Sequence, residues 1–195
     1  MYSQNNEEQV ILDVFGKATG GKFLDIGAFD PKRLSNTRAL YELGWSGVFV
    51  EPSPDQFNLF VEEYDGDPNI SLCNKAIAPT AGEMTFYISP NDALSTLSTE
   101  HLKKWNTVKF ETSTVSTITV DMLFDEYGYD FDFIDLDVEG SNWELLQLIP
   151  FDKLPRLRLI CVEYDYNYDA VVSHMTSFGF KLISRNGENV IMEKM

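Results

Sequence analysis

The sequence predicts an α/β fold: a central, mostly parallel sheet with helices on both faces and an antiparallel hairpin at the C-terminal end. Three observations carry that expectation. Apolar runs of strand length alternate with segments of helical periodicity along most of the 195 residues, as βαβ units require. Two of the early runs close on carboxylates, Asp25 and Glu51, and small residues follow the first of them. Finally, Phe180 to Ser184 and Asn189 to Glu193 flank Asn186-Gly187, a strong short hairpin signal.

The elements follow in order. Glu7 to Lys17 can form a helix with Val10, Ile11, Val14 and Phe15 on one face, stopped by Gly20 and Gly21. Lys22 to Ile26 is a short strand closing on Asp25, and Gly27 and Ala28 let the backbone come close to a bound molecule. Ser35 or Asn36 can cap a helix carrying Leu40 and Leu43, which Gly44 ends; Gly47 to Val50 is then a buried strand ending at Glu51. A carboxylate roughly 20 residues beyond a glycine turn, at the carboxyl end of a strand, is placed to accept hydrogen bonds from a ribose. Ser53, Pro54 and Gln56 read as a capping box opening the next helix, which runs to about Tyr64. Ile70 to Cys73 is a third strand, after which Asn74 and Ala76 fall at the ligand edge of the sheet.

The middle of the chain is less regular. Met84 to Ile88 and Val115 to Val120 can pair as an added hairpin or edge element. Between them the polar stretch 89–114 reads as a lid or a flexible loop and contains His101, one of two histidines. An imidazole titrating near neutrality suits a general base, although a surface histidine is the plainer reading. Asp121 to Tyr127 forms a short helix closed by Gly128.

The next block, YDFDFIDLDVEGSNWELLQLI, alternates Phe131, Phe133, Asp135 and Asp137 onto one side of a strand. Aspartates in a buried parallel strand are costly unless solvated, paired or bound to something. Asp135 and Asp137 converge near Glu139 at the exit end, and Ser141 with Glu144 forms a second capping box. Leu157 to Val162 is the fifth strand, ending beside Glu163 and Asp165, and a helix follows from about Tyr168 to Phe178.

Composition bounds the function classes. A hydrophobic content of 44% with 13% aromatics excludes a disordered chain, and the length suits one domain, 1–195, rather than two. No long apolar run that could span a membrane is present, and MYSQNNEEQV lacks the basic and apolar segments of a secretion signal, so a cytoplasmic protein is expected. The net charge of −16, from 31 acidic and 15 basic residues, argues against unaided binding to nucleic acid. Cys73 and Cys161 lack metal-ligand spacing and read as reduced core thiols.

YSQ at Tyr2 to Gln4, the segment Gly21 to Phe57 with SNT at Ser35 to Thr37 and GWSGVFVEPSP at Gly44 to Pro54, and IDLDVEG at Ile134 to Gly140 together resemble the FkbM family of S-adenosylmethionine-dependent methyltransferases. The resemblance covers most of the chain. It implies a Rossmann-like class I methyltransferase fold with a seven-stranded sheet whose last two strands are the terminal hairpin. It also implies S-adenosyl-L-methionine as cofactor and O-methylation of a sugar or other small-metabolite hydroxyl. The cofactor-binding candidates are Asp25, Gly27, Ala28, Ser35, Asn36, Glu51, Asn74, Ala76 and Asp137; the catalytic candidates are Asp137, Glu139 and His101. The sequence departs from its relatives at three places: Asp135 where Lys is frequent, Asn142 where Glu is frequent, and Asp30-Pro31 where another Gly is common.

For the carboxylates near Asp137, three roles stay open: binding the donor and assisting the acceptor, holding a divalent ion through Asp135, Asp137, Glu139 and Glu163, or stabilising a loop. Donor binding is favoured, and no residue is assigned to a metal. The competing functions are a non-catalytic S-adenosylmethionine or nucleotide-binding module and a nicotinamide-dependent oxidoreductase. The oxidoreductase is disfavoured by the missing third glycine of GxGxxG and by the terminal hairpin. The expected partner is a small-molecule or glycan acceptor; the sequence leaves the oligomeric state open.

Overall fold

The computed structural model describes residues 1–90 and 93–195. The first half runs α1 (Glu7–Phe15), β1 (Lys22–Ile26), α2 (Arg38–Glu42), β2 (Ser46–Val50), α3 (Pro54–Tyr64) and β3 (Ile70–Cys73). A subsidiary unit follows, with β4 (Ala76–Ile77), β5 (Gly82–Ile88), α4 (Thr99–Lys104) and β6 (Glu111–Ile118). The second half comprises α5 (Val120–Tyr127), β7 (Phe133–Leu136), α6 (Asn142–Leu146), a 3₁₀ turn at Phe151–Lys153, β8 (Leu159–Glu163), α7 (Tyr168–Ser177), β9 (Phe180–Arg185) and β10 (Asn189–Lys194).

Seven strands form the main sheet in the order β3-β2-β1-β7-β8-β10-β9. The strands from β3 to β8 pair in parallel, and β10 is antiparallel to both β8 and β9. The chain winds outward from β1 to β3 and then returns to place β7 on the other side of β1. Diverging connections on the two sides of β1 open a crevice at the carboxyl ends of β1 and β7.

Period-2 alternation decides what each face of the sheet buries. Leu24, Ile26, Val48, Val50, Ile134, Leu136, Ile160 and Val162 face one core with Leu123 and Phe124 of α5, Leu145 and Leu146 of α6, and Val171 and Met175 of α7. Phe23, Phe49, Phe133, Leu159 and Cys161 face the other, against Ile11 of α1, Leu40 of α2, and Phe60 and Tyr64 of α3. Burying each of these large side chains contributes about 1.5–3 kcal/mol. Both cysteines are reduced and buried. Continuing the second register towards the strand ends gives Asp25, Glu51, Asp135, Asp137 and Glu163. The carboxylates therefore replace the aromatic layer where the sheet meets the crevice.

The expected hairpin between the third strand and α5 exists as a separate three-stranded sheet, β4-β6-β5. β5 runs antiparallel to β6 from Gly82 opposite Thr117 to Ile88 opposite Glu111, and Ala76, Phe86 and Val115 form its small core. Residues 91 and 92 of the polar stretch 89–114 lie outside the described residues. Among the described residues, no helix is long and apolar enough to cross a membrane.

Several helix ends differ from expectation. α1 stops at Phe15 with Gly16 as its C-cap, before Gly20 and Gly21. Neither capping box forms, because neither Ser53 nor Ser141 makes a side-chain cap hydrogen bond. Each turn is held another way: the Glu51 carboxylate accepts the Ser53 N–H at 2.7 Å, and Asn142 Oδ1 accepts the Val138 N–H at 2.8 Å. At α2 the N-cap is Thr37 rather than Ser35 or Asn36. Ser35 Oγ still accepts the first helical N–H, from Arg38 at 3.1 Å, whereas Asn36 turns inward.

Candidate functional site

At the carboxyl edge of β1, β2 and β7 lies an open cleft whose space, mouth included, is about 1110 Å³. Of the residues singled out in the sequence, Asp25, Gly27, Ala28, Ser35, Asn36, Glu51, Ala76, Asp137 and Glu139 line it. Asn74 does not. Its side chain is turned back to donate to the carbonyls of Glu51 (2.8 Å) and Pro52 (3.3 Å), which steadies the end of β2. His101 is also off the cleft wall, being buried behind Glu139.

At the floor, the Gly27 N–H donates to the Val50 carbonyl at 2.9 Å and the Asp137 N–H to the Ile26 carbonyl at 2.9 Å, lacing β1 to its neighbours. Gly27 has φ +86°, and a Cβ there would lie 1.7 Å from the Asp137 carbonyl oxygen. Only glycine lets the backbone pass here. Glu51, 6% exposed, is held from both sides: Phe29 N–H donates to Oε2 at 2.8 Å and Ser53 N–H to Oε1 at 2.7 Å. Two backbone donors fix the carboxylate in one orientation at the end of β2. Phe29 and Leu34, in the loop between β1 and α2, take left-handed backbone angles, as do Glu139 and Asp165 across the cleft end. Such strain in non-glycine residues concentrates where a structure must hold an unusual shape.

Beside the floor, Asp25 and Asp135 are direct register partners on adjacent strands, and both are buried. Asp25 accepts the Thr37 hydroxyl at 2.6 Å, and Asn36 Nδ2 donates to both Asp135 oxygens at 3.2 and 3.1 Å. That leaves Asn36 Oδ1 buried without a hydrogen-bond partner among the described residues. Burial raises the Asp25 pKa to about 7 despite the Thr37 hydrogen bond; Asp135 is pushed up by burial and then by Asp25.

A carboxyl whose pKa is higher in the fold than in the unfolded chain, where it is near 3.8, keeps a proton that the unfolded chain releases. Its stabilising contribution is complete below that value and is lost as the pH rises to about 7. Urea unfolding followed from pH 4 to 9 is accordingly expected to show stability declining towards neutrality, with a smaller decline in Asp25→Asn. An unchanged slope in the variant would contradict the assignment.

The opposite wall carries further acids. Asp137, Glu139 and Glu163 each bring one oxygen within 4.8 Å of the other two, and Asp137 Oδ1 is enclosed without a hydrogen-bond partner. Burial first, then Glu139 and Asp135, raises Asp137 well above the usual carboxylate range. Glu139 is raised to about 9 by burial and by Glu163, and Glu163 to about 10 by burial and by Asp137. His101 Nε2 sits 3.4 Å from Glu139 Oε2, and burial lowers the imidazole to about 4, keeping it neutral. The polar stretch is thus packed onto this wall: Thr96 Oγ1 donates to the Glu139 carbonyl at 2.6 Å, and Ala93, Ser95 and Leu97 line the cleft.

Sequence reasoning passed over two residues, Glu7 and Asn142, whereas Gln4 belongs to the YSQ segment to which the resemblance gives a cofactor-facing role. Glu7, read only as part of a packing helix, is buried on the cleft wall. Its Oε1 accepts from Asn186 at 2.6 Å and from Asn189 at 2.9 Å, tying α1 to the terminal hairpin. Gln4 also lines the cleft, while Tyr2 points away to Glu42 at 2.7 Å. Asn142, noted only as a departure from relatives, is fully buried and donates to Glu163 at 2.7 Å and Asp165 at 3.4 Å. A capping pattern in the sequence concealed the last of these, because Ser141 and Glu144 gave a simpler account of the same turn.

The sequence matches the family described as the methyltransferase FkbM domain over residues 25–182. No curated protein matches it. Among solved structures it is similar to methyltransferase FkbM from Methylobacillus flagellatus KT at a TM-score of 0.56 and 14% identity, over 89% of this chain and 43% of that one. The chain therefore spans less than half the length of that relative. It is similar to the putative methyltransferase yhhF from Escherichia coli (TM-score 0.55, 10% identity, 100% of this chain and 88% of that one). It is also similar to precorrin 8W decarboxylase from Methanobacterium thermoautotrophicum (TM-score 0.52, 15% identity, 100% and 92%). At these identities the likeness establishes the fold alone, and one fold hosts several chemistries.

Proposed function

Because the chain belongs to the methyltransferase FkbM domain family, we propose that it transfers a methyl group from S-adenosyl-L-methionine to a hydroxyl oxygen of a sugar or other small metabolite. The observation that carries the cofactor assignment is the Glu51 carboxylate, fixed by two backbone donors at the end of β2 and facing the cleft at the sheet's switch point. Two further features fit the same molecule. Gly27 lies on the cleft wall where the chain passes too close to the Asp137 carbonyl for any side chain, and Asn36 Oδ1 is a buried acceptor on the same wall without a hydrogen-bond partner among the described residues.

When bound, the cofactor would supply an activated methyl and leave as S-adenosylhomocysteine, while the proton of the acceptor hydroxyl would pass to the Glu139 carboxylate or to water. The chain's own task is mainly to bind and align. Glu51 accepts the ribose hydroxyls. Gly27 and Ala28 let the backbone approach the methionine portion, and Asp25 with Asn36 Oδ1 presents acceptors to its ammonium group. Asp137 and Glu139, farther along the same wall, accept from the acceptor hydroxyl and orient it. His101 touches Glu139 from behind and acts as a positioning residue. Segment 93–104 packs over Glu139 and Gly140 and limits water at that end. A small hydroxylated acceptor is favoured over nucleic acid because the chain carries a net charge of −16.

Calorimetric titration with S-adenosylhomocysteine, the demethylated product, tests this directly, with NADH as the control. Saturable binding of the former and none of the latter is expected, followed by transfer of labelled methyl to members of a panel of hydroxylated acceptors. Binding of NADH in its place would overturn the reading in favour of an oxidoreductase; product binding without transfer to any acceptor would leave a binding module.

A further inference from the structure

Donor binding uses one side of the cleft and leaves three carboxylates crowded at the ends of β7 and β8. Asp137, Glu139 and Glu163 each offer an oxygen within 4.8 Å of the other two. Two oxygens bound to one small cation at roughly 2.0–2.6 Å stand at most about 5 Å apart, so this spread fits a single hard ion. Crowding alone does not make a site, but an independent feature points the same way. The His101 side chain is 1% exposed, its Nε2 has no hydrogen-bond partner among the described residues, and it lies 3.4 Å from Glu139 Oε2. A buried imidazole nitrogen without a partner, beside one carboxylate of the group, is an unsatisfied donor or a ligand. Asp137 Oδ1 is enclosed and unpartnered in the same place.

The surroundings are those of an oriented site. Asn142 Nδ2 donates to Glu163 at 2.7 Å, and Asn142 Oδ1 accepts from Val138 N–H at 2.8 Å, so one buried amide fixes a carboxylate and the loop carrying the next. Partners of this kind set ligand direction in metal sites. Thr96 Oγ1 holds the Glu139 carbonyl at 2.6 Å, and Gly140 leaves room for the ring, since a Cβ there would lie 2.9 Å from His101 Nδ1.

We infer that Asp137, Glu139 and Glu163 bind one divalent cation of the magnesium or manganese class, with His101 Nε2 at its edge. All-oxygen carboxylate sets favour such hard ions over softer metals. Asp137 and Glu139 also line the cleft, so the ion faces the acceptor end, where it would polarise a coordinated hydroxyl oxygen and ease passage of its proton to water. With the ion in place, the two carboxylates act on the hydroxyl through it. That use of the ion rests on the methyl-transfer reading; the site itself does not.

The test is titration of metal-stripped protein with Mn²⁺, without donor or acceptor, reading free Mn²⁺ by electron paramagnetic resonance and heat by calorimetry. One saturable site that Mg²⁺ competes for is expected. Glu163→Gln and Asp137→Asn should each weaken it at least tenfold, with folding checked by circular dichroism. Glu83→Gln, on an exposed strand position, should leave it unchanged and so separates a site from general attraction to an acidic surface. Absence of saturable binding at millimolar Mn²⁺ would overturn the inference in favour of carboxyls that share protons, as would equal losses in Glu83→Gln and Glu163→Gln. Because S-adenosylhomocysteine binding is measured separately, failure of the ion site and failure of the donor reading give different results.

Discussion

Gly27→Ala is expected to abolish measurable S-adenosylhomocysteine binding and to destabilise the fold by about 2–5 kcal/mol. Two costs combine. The backbone at this position has φ +86°, where an L side chain is strained. The new methyl would also lie 1.7 Å from the Asp137 carbonyl oxygen, so β1 and β7 must separate or the 137–140 loop must shift. Either movement breaks the floor of the cleft, because the Gly27 N–H is bonded to Val50 and the Asp137 N–H to Ile26. Urea unfolding reports the stability loss, and calorimetry reports binding under conditions where the variant remains folded. A folded variant that binds the product with unchanged affinity would show that the floor is not the binding surface. Alanine at Gly44 is the useful contrast: φ there is +84° but nothing lies within 4 Å, so only the backbone term remains and a smaller loss is expected.

How much of this could be read beforehand depended on how local the cause was. The strands of the main sheet follow from apolar alternation, as in Lys22–Ile26 and Ser46–Val50, and the hairpin follows from the chemistry of Asn186-Gly187. Glu51 was legible for the same reason, since the strand's own length decides where its last carboxylate falls. Contacts between distant segments were not. Nothing near Glu7 in the chain announces Asn186 and Asn189, its hydrogen-bond partners from the terminal hairpin. Asn74 sits at the expected edge, yet a single rotation of its side chain directs it to the Glu51 and Pro52 carbonyls. His101 was visible as chemistry but not as placement, because its burial behind Glu139 depends on the packing of α4 against a loop beginning some 35 residues later. Two capping patterns misled for a related reason: tertiary partners, Glu51 and Asn142, hold those turns instead of the local serines.

Glu51→Ala separates binding from folding and carries the second large effect. The substitution removes the acceptor of the Phe29 and Ser53 N–H groups, at 2.8 and 2.7 Å. Each such group left dry costs about 1–3 kcal/mol, less where water enters from the cleft. It also removes a carboxylate from the ribose, and a hydrogen bond to a charged group contributes about 1.5–3 kcal/mol. Loss of two ribose bonds therefore corresponds to affinity weaker by about 100-fold or more, since each 1.4 kcal/mol is tenfold. Glu51→Gln isolates the charge: its single carbonyl oxygen can satisfy only one of the two backbone donors, while the amide nitrogen meets the other as a second donor. The glutamine variant is expected to fall between wild type and alanine in both stability and product affinity. Calorimetry with S-adenosylhomocysteine, and then with a 2′,3′-dideoxyribose analogue, resolves the cause. Wild type should lose most of its affinity for the analogue, and Glu51→Ala, having already lost those bonds, should scarcely distinguish the two ligands. If the alanine variant discriminates between them as strongly as wild type does, the ribose lies against another group and the cofactor sits differently along the carboxyl edge of the sheet.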